Sequence, residues 1–245
     1  MMEIPEYASD DGVERILVVV AHPDDIDFGV AGSVGTWTAR GIEVTYCLAT
    51  SGEAGGDDRA QPRAHMASVR EEEQRTAAGH VGVTDVRFLG FPDGRVEPTL
   101  ELRCAISKVI RELRPQRVIT QSPERLWDRI YASHPDHLAV GEATAAAVYP
   151  DARNPFAHPE LLLVEELEPW TVPQLWMMAR PDANVFVDIT EVLPTKLAAL
   201  KSHESQIADP AWIETLLSEW ATANAQAADL PDGRFAELFR AVDTR

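Results

Sequence analysis

Three carboxylates and an imidazole are crowded into Ala21-His22-Pro23-Asp24-Asp25-Ile26-Asp27, and His134-Pro135-Asp136-His137 sets two more imidazoles around another acid. His22 and Asp25 offer a nitrogen and an oxygen donor to a borderline metal such as zinc, while Asp24 lies between them and points elsewhere. A carboxylate beside a metal, not on it, is placed to take a proton from water. His134 and His137 are three apart, and at a helix start that spacing puts both on one face, where they can address one ion or one substrate. Two histidines and one carboxylate with a coordination position left open describe a catalytic zinc site, not a structural one. Zinc held this way brings the pKa of its water to about 7 and polarises a carbonyl. The histidine that does not bind metal is then the natural proton donor, and spacing alone leaves open which of the two that is.

Such a site needs elements that bring together residues more than a hundred positions apart. The apolar run Ile16–Val20 reads as a buried strand ending at the first cluster, and Arg117–Gln121 as a strand ending before the second. In an open parallel sheet the carboxyl ends of strands face the ligand crevice, so both clusters fall on the site-forming edge if these two strands are neighbours. Pro23 stiffens the first turn, and Gly29, Gly32 and Gly35 open a helix packed closely on the sheet. Between the clusters, helix and strand alternate. Gly32–Arg40 is predicted helical up to Gly41, Val44–Ala49 a strand, Pro62–Gly79 a helix, and Val86–Phe91 a strand closed by Pro92-Asp93-Gly94. A further helix carries Leu102, Ile106, Val109, Ile110 and Leu113 at helical spacing and stops at Pro115.

Beyond Ser122–Ser133, a loop with Trp127 and Tyr131, a helix is predicted over Leu138–Val148. The proline-rich stretch from Pro150 to Pro173 is expected to hold a strand plus an insertion over the crevice. Late strands are read at Leu175–Met178 and Val185–Ile189, then a helix from Val192 to Ser205 capped by Thr190. Trp212–Val242, rich in alanine, reads as helical. The expected fold is α/β, Rossmann-like, with a mostly parallel sheet flanked by helices, in one domain spanning 1–245.

Composition excludes several functions. With 40 acidic against 22 basic residues and a net charge of -18, the chain has no basic face for nucleic acid or for an anionic membrane surface. No apolar run approaches the ~20 residues of a spanning helix. Met1 to Arg15 lack the basic and apolar regions of a secretory signal, and Cys47 and Cys104 read as packing residues; both point to the cytoplasm. The polar loop from Thr50 to Arg59 lacks the Gly-Lys-Ser/Thr ending of a phosphate cradle. A nucleotide-binding turn also fits poorly, because carboxylates stand where a pyrophosphate needs amide hydrogens. On helical spacing alone, Arg70 is one charge of a solvated face.

Ala-His-Pro-Asp-Asp at 21–25 and His-Pro-Asp-His at 134–137 resemble the signatures of the PIG-L/LmbE family of zinc-dependent N-acetylglucosaminyl deacetylases, which includes enzymes of mycothiol and bacillithiol pathways. The likeness extends to Ser51–Gly56, Arg70-Glu71-Glu72, Gly90–Gly94 and His203–Gln206, and so spans about Ile16 to Gln206. It implies metal ligation by His22, Asp25 and His137, with Asp24 as general base. His134 becomes the charged or proton-donating partner near the oxyanion, and Asp136 orients an imidazole. Arg70 and Asp93 match positions that contact the sugar. The implied reaction removes an N-acetyl group from a small-molecule glucosamine conjugate. The alternatives are a conjugate amidase cleaving a larger acyl group, or a non-catalytic sugar-binding module. The implied cofactor is Zn2+, with Fe2+ accepted by the same donors, and a homo-oligomer is compatible with the family. Substrate choice is expected to reside in 122–133 and in a variable loop about 150–173. Ile26 stands where many relatives have Glu, and Ala132 where some have an oxyanion-stabilising tyrosine, with Tyr131 adjacent but out of register.

Overall fold

A two-residue strand, β1 (Glu6–Tyr7), precedes β2 (Arg15–Val20), whose last five residues are all buried. Successive side chains of a strand point to opposite faces, and those of β2 feed two different cores. Ile16, Val18 and Val20 join one with Trp37 and Tyr46; Leu17 and Val19 join the other with Leu102, Ile106 and Ile110. A strand apolar on both faces belongs in the middle of a parallel sheet, and β2 is there.

The computed structural model describes residues 4–56, 58 and 60–245. Met1 to Glu3 of the acidic N-terminal stretch, and Asp57 and Arg59 of the polar loop, lie outside the described residues. After β2 come α1 (Asp25–Gly29), α2 (Ala31–Ala39), β3 (Glu43–Leu48), α3 (Arg63–His80), β4 (Asp85–Phe88), α4 (Leu100–Leu113) and β5 (Arg117–Thr120). A 3-10 turn (Trp127–Ser133) leads into α5 (Pro135–Ala146), followed by α6 (Pro159–Leu163), β6 (Gln174–Met177), β7 (Val185–Asp188), α7 (Leu193–Lys201), α8 (Pro210–Ala227) and β8 (Ala236–Asp243).

The eight strands form one sheet in the order β1-β7-β8-β6-β5-β2-β3-β4. All pairs are parallel except those of β8, which runs antiparallel to both β6 and β7. β5 lies directly beside β2, with Val19 opposite Thr120. The neighbour relation the two clusters need is therefore present.

Four expectations require correction. The alanine-rich C-terminal third is not helical throughout: α8 stops at Ala227, and Ala236–Asp243 is the strand β8. Pro231-Asp232-Gly233 supplies the break, with Gly233 at φ +81°, and the Phe239 ring then packs on Trp176 at 5.3 Å. Thr190 does not cap a helix; its hydroxyl donates to Asp188 Oδ1 at 2.6 Å, and a 3-10 turn over Thr190–Val192 precedes α7. That helix ends at Lys201, not Ser205, because the chain turns there to send His203 inward. Finally, 150–173 holds the short helix α6 and no strand. Its polar contacts go to α4, to the residues just before β5 and to Thr244 after β8. The Arg111 guanidinium donates to the carbonyls of Asp151, Ala152, Asn154 and Ala157, and Trp170 Nε1 donates to the Pro115 carbonyl at 2.8 Å. Pro115 lies at the end of β5 opposite the histidines.

Candidate metal centre

The chain leaves β2 through a tight turn. Asp24 has φ +84° and ψ -30°, a backbone region costly for a residue with a Cβ and retained where surroundings over-determine it. Here they do. The Asp24 N–H donates to Gln74 Oε1 at 2.9 Å, and Arg70 Nη2 donates to the Pro23 carbonyl at 2.7 Å and to Asp24 Oδ2 at 3.1 Å. Arg70 Nη1 reaches the Gly52 carbonyl at 2.9 Å, tying the loop after β3 to the same turn. Arg70 and Gln74 are four apart on α3 and both buried. Arg70 is thus not part of a solvated face, and Gln74, four residues on, shares its side of α3.

Two imidazole nitrogens and both oxygens of one carboxylate meet beyond this turn. His22 Nδ1 is 3.4 Å from Asp25 Oδ2 and 3.3 Å from His137 Nε2, and His137 Nε2 is 3.0 Å from Asp25 Oδ1. Tetrahedral ligands about 2.0–2.1 Å from zinc are separated by roughly 3.3 Å. Two imidazole nitrogens and the Asp25 carboxylate, one oxygen towards each histidine, fit a divalent cation at these spacings.

The other side of His22 is equally fixed. Its Nε2 lies 3.2 Å from Asp136 Oδ2 and 3.1 Å from Asp93 Oδ1, so a hydrogen there is held by carboxylates and the Nδ1 lone pair faces the donor cluster. Asp136 is itself anchored by the N–H groups of Gly94 (2.7 Å) and Val96 (3.3 Å), and Asp93 Oδ2 accepts from Ala54 N at 2.8 Å.

The electrostatics follow from four acids around one imidazole. Burial works against a charged His22, yet Asp136, Asp25 and Asp93 outweigh it and its pKa is pushed up to about 12. Burial alone would raise Asp25, but the neighbouring His137 and His22 hold it well below the usual carboxylate range. Asp93 falls to about 2 in spite of burial, through His22 and the Ala54 N–H. This surplus of negative charge demands a cation at the cluster, either a proton or a metal. Asp24 differs: burial first, then the charge of Asp25, raises it to about 6 against the pull of Arg70.

His134 is the N-cap of α5, its Nδ1 accepting from Asp136 N at 3.2 Å, so the neutral ring carries its hydrogen on Nε2. Its ring centroid is 5.1 Å from that of His22 and 5.3 Å from that of His137. Burial, then the two histidines, lower its pKa and keep it neutral. Asp27 and His203, both fully buried, pair at 2.8 Å, and Gln74 Nε2 donates to the same Asp27 oxygen at 2.9 Å. His203 is thus joined through Asp27 and Gln74 to the Asp24 turn. Gln121, which the motifs did not point to, accepts the Ala21 N–H at 3.0 Å and couples the two strand ends.

A Rossmann-like α/β sheet with two histidines and a carboxylate converging at its strand ends defines the class. The chain belongs to the PIG-L family: the family model described as GlcNAc-PI de-N-acetylase matches residues 17–148. It is 33% identical over 204 residues to the diacetylchitobiose deacetylase of Thermococcus kodakarensis, covering 82% of this chain and 73% of that protein. It is 29% identical over 255 residues to 1D-myo-inositol 2-acetamido-2-deoxy-alpha-D-glucopyranoside deacetylase 1 of Saccharopolyspora erythraea, covering 82% and 79%. The structure of N,N'-diacetylchitobiose deacetylase from Pyrococcus horikoshii superposes with a TM-score of 0.87 at 26% identity, over 96% of this chain and 86% of that one. Among the described residues no helix is long and apolar enough to cross a membrane.

Proposed function

We propose that this protein is a metal-dependent hydrolase that removes the N-acetyl group from a small-molecule conjugate containing N-acetylglucosamine. The observation that carries the reading is the convergence of His22 Nδ1, Asp25 and His137 Nε2 at 3.0–3.4 Å from one another, with the Asp24 carboxylate held beside them. The names of the relatives support the substrate class. When bound there, zinc or Fe(II) supplies Lewis-acid chemistry, lowering the pKa of a water and polarising the acetamide carbonyl.

The chain's own groups do the rest. Asp24, with a pKa of about 6, is ionised at neutral pH and still basic enough to take a proton from the attacking water. Arg70 fixes the direction of its carboxylate. His134, neutral and carrying its hydrogen on Nε2, donates that N–H to the oxygen on which negative charge develops. Its depressed pKa favours this role over that of a charged partner. Asp24 then returns its proton to the departing amine, so amide and water become amine and acetate. Asp136 and Asp93 orient His22; both Asp93 oxygens are engaged within the protein, so its place near the sugar is that of a wall of the pocket.

Substrate choice is assigned to the loop 122–133, which leads from β5 into His134. Trp127 and Tyr131 are exposed on it, and Tyr131 stacks on Trp220 of α8 with the planes 4° apart. Cys47 and Cys104 are unpaired, as suits a cytoplasmic enzyme. The test is a screen of N-acetylglucosamine conjugates and of larger N-acyl conjugates with metal-loaded protein, reading acetate and free amine. Turnover of the larger acyl groups with none of the acetamides would replace this reading with that of a conjugate amidase.

A further inference from the structure

A second group of metal donors lies away from the catalytic cluster, on α4 and the segment after α5. Cys104 Sγ, a nitrogen of His158 and a Glu160 oxygen all fall within 4.8 Å of one another. The Cys104 thiol donates to Glu160 Oε1 at 3.3 Å, and His158 Nδ1 lies 4.0 Å from that same oxygen, beyond hydrogen-bond reach.

The far side of His158 explains why Nδ1 points there. His158 Nε2 meets Asp151 Oδ2 at 3.2 Å, and Asp151, 3% exposed, is gripped by Arg103 through two bonds of 2.8 and 2.9 Å. A carboxylate that takes the Nε2 hydrogen leaves the lone pair on Nδ1, the arrangement that metal-binding histidines adopt. His158 itself sits at φ +49° and ψ +62°, the left-handed region in which histidine is among the enriched residues, as the N-cap of α6. Tetrahedral zinc with one sulfur at about 2.3 Å and lighter donors at about 2.0–2.1 Å separates its ligands by roughly 3.3–3.6 Å. The observed 3.3 and 4.0 Å reach that range with a small closure of the Glu160 side chain, which is 54% exposed.

We propose that Cys104, His158 and Glu160 form a second divalent-cation site, oriented by Asp151, that clips the segment after α5 to α4. Binding replaces the thiol hydrogen of Cys104 with a metal–sulfur bond and releases that proton to solvent. The site has one soft, one borderline and one hard donor, and its thiolate and imidazole favour zinc over magnesium or calcium.

Cobalt(II) titration of the metal-stripped full-length protein tests this, because the catalytic cluster contains no sulfur. The expected result is two equivalents per chain, one of which brings a sulfur-to-cobalt charge-transfer absorption in the near ultraviolet. Cys104→Ser removes that absorption and one equivalent. His158→Asn, whose side chain tolerates positive φ, weakens the same equivalent at least about tenfold. His22→Ala removes the other equivalent and leaves the charge-transfer absorption intact, so the two centres read separately. A wild-type protein without the absorption overturns the proposal, as does an absorption that persists in Cys104→Ser and so belongs to Cys47.

Discussion

Asp24→Asn separates the proposed base from the ion site more cleanly than any other change. Asparagine is among the residues that tolerate positive φ, so the turn at φ +84° survives. The Asp24 N–H keeps Gln74, and Arg70 keeps the Pro23 and Gly52 carbonyls at 2.7 and 2.9 Å. His22, Asp25 and His137 are untouched. Loss of a general base is worth about 10²–10⁴-fold in kcat, or roughly 3–5 kcal/mol of barrier. Stability moves the other way. A carboxyl whose folded pKa is raised, here from 3.8 to about 6, costs stability increasingly as pH rises from the lower value to the higher, and in full above about 6. At 1.36 kcal/mol per unit, removing the charge gains at most about 3 kcal/mol at neutral pH, less whatever Arg70 loses. Acetate release, metal content by elemental analysis, and Tm of metal-stripped protein are read together. The expected set is a large fall in kcat, unchanged metal and an equal or higher Tm. A kcat within threefold of wild type would refute the assignment of Asp24, and a loss of activity that tracks lost metal would make it a ligand and not a base.

Further outcomes follow from the same contacts. His203→Ala leaves Asp27 buried with Gln74 but without its imidazole, and costs about 3–5 kcal/mol in a denaturant melt; a cost below 1 kcal/mol would mean the pair carries no weight. Gly141→Ala, favourable in most helices, sets a Cβ 2.4 Å from the Gln121 carbonyl, where β5 leaves the sheet; lower Tm together with weaker metal binding is expected, and a stabilised variant would contradict the packing. Trp220→Ala raises KM for glycosylated conjugates about tenfold while sparing kcat on the simple N-acetyl sugar, if α8 lines the aglycone side; equal effects on both would place Trp220 in the scaffold. Asp188 is held low, against its burial, by Thr190 and Arg234. A depressed carboxyl stabilises above its unfolded pKa of about 3.9 and loses that contribution as pH falls through the folded value. The Tm gap between wild type and Asp188→Asn should therefore be open at neutral pH and close in acid, and a gap independent of pH would exclude the ion pair as its source.

What the sequence reveals of this site depends on how local the cause is. β2, the histidine clusters and the adjacency of β2 and β5 are legible because apolar runs, turn prolines and the parallel-sheet rule act over short stretches. The burial of Arg70 is not, since its partners, the carbonyls of Pro23 and Gly52, are created only when two loops meet. β8 hides for a related reason. Its pattern is weakened by Glu237, a charge that reads as solvent-facing yet is 4% exposed and bonded to Ser33 and Lys196. His203 gave no signal beyond its likeness to the family, because its partner Asp27 lies 176 residues away.

Those hidden contacts assign a role to the part of the chain beyond the family match. The matched region ends at residue 148, and it contains His22, Asp25 and His137 together with the proposed base Asp24. The short helix α1, which carries Asp25, is nevertheless held from outside that region. Lys196 Nζ donates to the Phe28 carbonyl at 2.8 Å and pairs with Glu237, whose carboxylate also caps the Gly32 and Ser33 N–H groups. His203 holds Asp27, one residue from Ile26 and two from Asp25. Gly32 itself admits no Cβ, with Ile189 at 2.8 Å and Glu237 at 3.0 Å. Five residues cannot hold a helix by their own hydrogen bonds. The placement of Asp25 is therefore shared between α3, through Arg70 and Gln74, and the later Lys196, His203 and Glu237, so the histidine–carboxylate cluster at one end of the chain depends in part on buried charges supplied by the other.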